Sequence, residues 1–81
     1  MKRTLPAHYR VAIGGRIRLL RKEKNLTQQQ LANLADIELS TLNRAELGKA
    51  ALSVTNLVAI SDALHIHPKL LWDFDWPPAK A

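Results

Sequence analysis

The chain has 81 residues, 47% of them apolar, no cysteine, and a net charge of +5 with 12 basic against 7 acidic side chains. That length holds one domain, which buries about 60 to 65% of its unfolded surface, so its stability should be modest and dimerisation would help it. The missing cysteines exclude disulfide frameworks, thiolate metal sites and thiol nucleophiles. No apolar run is long enough for a membrane span and no leader precedes the domain, so a cytoplasmic protein is expected.

Helical periodicity runs through the chain and no window alternates as a half-buried strand does, which reads as all-α. The first helix should start near Pro6 and end at Lys24, with Asn25 in a left-handed cap. Ile13, Ile17 and Leu20 share its inward face, while the adjacent Gly14 and Gly15 predict a fray or bend in mid-helix. Eight of the twelve basic residues fall within residues 1 to 24, against the single acid Glu23. Such a segment suits a polyanion, or else forms a solvated helix face.

Thr27 with Gln30 gives a capping box for the second helix, whose inner face carries Leu31 and Leu34. Ala35, Asp36 and Ile37 make a break, and the third helix runs from about residues 38–40 to Leu47, stopped by Gly48. Ser53 caps the fourth helix, with Leu57, Ile60 and Leu64 on one face. Pro68 starts a fifth, short helix, and the tail from Asp73 trails off irregularly. Leu71 is expected to close the core, leaving Trp72, Phe74 and Trp76 for a two-fold patch or for packing on their own subunit.

Two short helices around a tight turn allow the second to cross the first steeply and project from the domain. A projecting helix fits the major groove of B-DNA, about 12 Å wide, where base edges differ. The residues around this unit are Leu26, Thr27, Gln28, Leu31, Ala32, Ile37, Leu42, Glu46, Gly48 and Lys49, in unbroken register. With the flanks "IGGRIRLLRKEKNLT" and "SVTNLVAISDALHIHPKLLW", residues 10 to 72 resemble the XRE family of helix-turn-helix regulators of the phage Cro and repressor type.

The resemblance implies a compact five-helix, lambda-repressor-like domain at residues 10–72, with an arm or helix extension at 1–9 and a tail at 73–81. It places Leu39, Ser40, Asn43 and Arg44 against base edges, and Gln28, Thr41 and Lys49 against phosphates. Gln28 could also buttress base-reading residues, and Glu46 would pair with Arg18 or Arg21. The implied protein is a homodimeric repressor or autoregulator on a pseudo-palindromic operator in double-stranded DNA.

Departures from the family pattern leave rivals open. Asp36 stands where the family usually has glycine, and Leu47, Ala50 and Ala51 where it often has backbone-binding side chains. An antitoxin that binds DNA and a toxin protein, or an interaction module that has lost DNA binding, would use those apolar positions. His65 and His67, two residues apart, do not share a helical face, so cap and surface roles are expected and no metal or cofactor. No nucleophile elbow or oriented triad occurs, so no enzyme activity is expected.

Overall fold

The computed structural model describes residues 4–79; Lys2 and Arg3 of the basic segment, and Lys80 and Ala81 of the tail, lie outside the described residues. Within them are four α-helices and no strand: α1 (Ala7–Glu23), α2 (Gln28–Ala35), α3 (Leu39–Glu46) and α4 (Val54–Leu64). The expected fifth helix is a 3-10 turn, Pro68–Trp72. So short a segment has no helix interior, Pro68 lacks an N–H, and its bonds run i to i+3, with Leu70 N donating to His67 O at 3.0 Å.

The boundaries follow local chemistry. Thr27 Oγ1 accepts from Gln30 N at 3.1 Å while Gln30 Oε1 accepts from Thr27 N at 2.8 Å, the full capping box. Ser53 caps α4 and His67 caps the 3-10 turn, each side chain accepting from a backbone N–H. Asn25, Asp36 and His65 hold left-handed conformations at φ 58°, 55° and 55°. His65 and His67 thus sit at helix ends, both exposed.

Asp36 marks the turn between α2 and α3, and its side chain is exposed. Glycine relieves a left-handed backbone and a β-branched residue strains it. Thermal melts are therefore expected to show Asp36→Gly as neutral or slightly stabilising and Asp36→Val as destabilising by about 1 to 2 kcal/mol. An unharmed valine variant would be incompatible with this turn.

The core gathers Ile13, Ile17 and Leu20 of α1, Leu31, Ala32 and Ala35 of α2, Leu42, Ile60, Leu64 and Leu71. Helix α1 packs on α3, α2 on α4, and the 3-10 turn against α1 and α4. Leu34, expected on the inner face of α2, is instead 62% exposed. Leu31, Ala32 and Ala35 form the buried side of this eight-residue helix, and Leu34 lies just beyond its edge.

The glycine pair does not interrupt α1, which is continuous from Ala7 to Glu23. A Cβ on Gly14 would lie 2.1 Å from Ala45 O and 2.9 Å from Glu46 O, so its missing side chain lets α1 approach the end of α3. Gly48, at φ +74°, ends that helix with its Cα against Val11, and Arg10 Nε donates to Gly48 O at 3.0 Å. The tail does not trail free: Phe74 packs on the core, Trp76 lies 4.7 Å from the Tyr9 ring and 5.7 Å from Phe74.

Candidate nucleic-acid interface

Helix α3 is two-sided. Leu42, Ala45 and Glu46 are buried, while Leu39, Ser40, Asn43, Arg44 and the following Leu47 are exposed. Positions i, i+1, i+4 and i+5 share one face of a helix, so the four side chains expected at base edges stand together. The Arg44 side chain has no hydrogen bond or ion pair among the described residues, which leaves its guanidinium open to a ligand.

The expected phosphate ligands are less uniform. Lys49 is exposed just past the Gly48 turn. Thr41 is half-buried in a polar groove with Gln29, Asn33, Glu38 and Asn56, which Leu39 also lines. Gln28 is half-buried at the first position of α2, and both ends of its amide are engaged within the protein. Its Nε2 donates to Glu46 Oε1 at 3.0 Å, and its Oε1 accepts from Asn43 Nδ2 at 3.3 Å. One Nε2 hydrogen remains for a phosphate.

Glu46 pairs with Arg21, not Arg18. Arg21 Nε donates to Glu46 Oε2 at 2.7 Å and Nη2 to Oε1 at 2.9 Å, a fork-on-carboxylate geometry, and Nη1 donates to Leu26 O at 2.8 Å. Each residue is only 8% exposed. The hydrogen bonds that Arg21 donates to Glu46 raise its pKa above the ordinary arginine range, burial opposing them, so the guanidinium stays charged.

Arg18 and Lys22, exposed on α1, line the cleft that also holds Asn43, Gln28 and Leu47. They were not singled out from sequence as ligands, although their i, i+4 spacing puts both on one face beside the third helix. With Arg44 and Lys49 they make the surface around α3 cationic. Leu39 and Leu47, at 40% and 53% exposure, are its apolar positions.

Among the described residues no helix is long and apolar enough to cross a membrane, and no group of three potential metal ligands occurs.

The family model described as helix-turn-helix matches residues 17–71. The control protein C.BamHI of Bacillus amyloliquefaciens is 35% identical over 66 residues, covering 80% of this chain and 82% of that protein. The crystal structure of the restriction-modification controller protein C.AhdI from Aeromonas hydrophila superposes with a TM-score of 0.75 at 35% identity, over 76% of this chain and 94% of that one. The clp gene regulator ClgR of Corynebacterium glutamicum gives 0.76 at 25% identity, over 79% of this chain and 68% of that one.

Proposed function

The chain belongs to the XRE-type helix-turn-helix family and is a DNA-binding transcriptional regulator, and we propose that it acts in the cytoplasm as a homodimer that represses or autoregulates from a pseudo-palindromic operator. The observation that carries this is the face of α3, where Leu39, Ser40, Asn43 and Arg44 stand exposed together while Leu42 and Ala45 fasten the helix behind them. Arg44 can fork onto guanine O6 and N7, Ser40 can donate or accept, and Leu39 can meet a thymine methyl. Gln28, Thr41 and Lys49 hold the backbone, Arg18 and Lys22 adding charge beside them.

Both relatives at 35% identity are control proteins by name, one of them of restriction-modification, which supports a regulator that governs a gene set of that kind. The geometry of operator reading supports dimerisation. Two recognition helices must lie about 34 Å apart to read successive turns of one duplex face. Trp72 and Trp76 remain 44% and 64% exposed and are the aromatic anchors available for a second copy, Trp76 while also resting on Tyr9.

Selection from a random duplex pool, followed by titration at several salt concentrations, tests the reading. Affinity is expected to fall with salt at a slope of about −0.9 per phosphate neutralised. Arg44→Ala should cost about 1 to 3 kcal/mol on the selected site and relax preference at one base pair per half-site. An equal loss on random DNA would leave Arg44 a phosphate contact only. A wild-type protein that binds no duplex at low salt would favour a protein partner, a toxin among them, for the exposed Leu39 and Leu47.

A further inference from the structure

Four side chains from three helices form one directed chain of hydrogen bonds that ends on the recognition face. Arg21 donates twice to Glu46, Gln28 Nε2 donates to Glu46 Oε1, and Asn43 Nδ2 donates to Gln28 Oε1. The direction is set by chemistry at the buried end. A guanidinium has only donors and a carboxylate only acceptors. Facing a carboxylate, Gln28 must turn its NH2 inward, which leaves its carbonyl oxygen toward Asn43. Asn43 must then turn an N–H toward Gln28, and keeps Oδ1 and the second Nδ2 hydrogen for solvent or a ligand.

We infer that the buried Arg21–Glu46 pair, acting through Gln28, fixes which way round the Asn43 amide meets DNA, and so selects at that position a base with a major-groove amino group, adenine above all. The inference rests on the DNA-binding reading and adds the class of base that one residue takes. Adenine offers an N6 amino donor to Oδ1 and an N7 acceptor to the remaining Nδ2 hydrogen, and cytosine offers only the amino donor. Guanine would set O6 against Oδ1, and thymine O4 likewise. Were the asparagine free to turn, its NH2 could face guanine, and the discrimination would fade. Gln28 and Glu46 are thus positioning residues, and Asn43 is the one that touches the base.

Binding to a panel of duplexes carrying all four bases at each half-site position tests this, with three proteins compared. Asn43→Ala locates the position as the one where preference disappears. At that position the wild type is expected to favour adenine over guanine by about tenfold. Gln28→Met leaves the Arg21–Glu46 pair in place but ends the relay, and should reduce the ratio to below about threefold there while preferences elsewhere persist. A uniform loss over all four bases, with the ratio intact, would overturn the relay and leave Gln28 a backbone contact. A second measurement needs no DNA: by NMR the Asn43 side-chain amide should be ordered in the wild type and mobile in Gln28→Met, and equal mobility in both would overturn it too. A wild type that binds no duplex defeats the DNA reading itself; preferences at other positions with none that Asn43→Ala removes defeat only the relay.

Discussion

Gly14→Ala is expected to cost about 3 kcal/mol or more and to lower the melting temperature by roughly 15 °C, although alanine is the better helix former by about 1 kcal/mol. The added methyl would meet the Ala45 carbonyl oxygen at 2.1 Å and the Glu46 carbonyl oxygen at 2.9 Å, and both obstacles are backbone. No rotamer change relieves such a contact, so α1 and α3 must move apart. That separation would loosen Ile13, Ile17, Leu42 and Ala45 together and pull on the Arg21–Glu46 pair. A domain of this size rarely has more than about 3 to 5 kcal/mol in hand, so much of the population should be unfolded near physiological temperature. Gly15→Ala is the control. A Cβ there meets nothing within 4 Å, and the substitution should stabilise by about 0.5 to 1 kcal/mol. Melts of the two variants side by side separate packing from propensity, and two stabilised proteins would mean that α1 and α3 do not touch at Gly14.

The same pair of glycines shows where sequence stops being legible. Their cost to an isolated helix can be read from the residue type alone, and it predicts a bend. That Gly14 faces another helix depends on Ala45 and Glu46, about thirty residues along the chain, and no local rule contains it. What lies within a few residues was readable: the Thr27–Gln30 box, the left-handed Asn25, the Gly48 stop and the Ser53 cap. Each is decided by a backbone need that one residue type meets best. Leu34 defeated the reading for a related reason. Apolar character and spacing placed it inward with Leu31, but the buried side of α2 is centred on Leu31, Ala32 and Ala35, which leaves Leu34 beyond its edge. The base-facing set on α3 and a buttressing role for Gln28 were legible only through the family resemblance; the bond from Gln28 to Glu46 was not, since it spans eighteen residues.

Glu46→Ala is expected to destabilise by about 3 kcal/mol, at the lower end of the range for breaking a buried pair because water is never far away in a domain only 19 Å thick. The loss comes less from the missing attraction than from what remains: Arg21, 8% exposed, would keep its charge with two of its donors unmatched, and Gln28 would lose its acceptor. Deprotonation offers Arg21 no escape. With Glu46 in place the Arg21 pKa is raised, so the arginine's share of the stabilisation is lost only as pH climbs above the ordinary arginine value, and the wild type and the variant should differ equally at pH 6 and pH 8 on this account. Replacing both partners by apolar side chains of similar size, Arg21→Met with Glu46→Leu, removes the stranded charge and should recover much of the stability lost by Glu46→Ala. The recovered protein would still lack the acceptor that orients Gln28, and with it the fixed Asn43 amide, so stability should return without base preference at that position. Denaturant unfolding of the wild type, Glu46→Ala and the double variant, with binding to the selected duplex, reads both quantities. A double variant no more stable than Glu46→Ala would show that the pair contributes attraction the core cannot replace, and one that kept the full preference would place the control of Asn43 elsewhere.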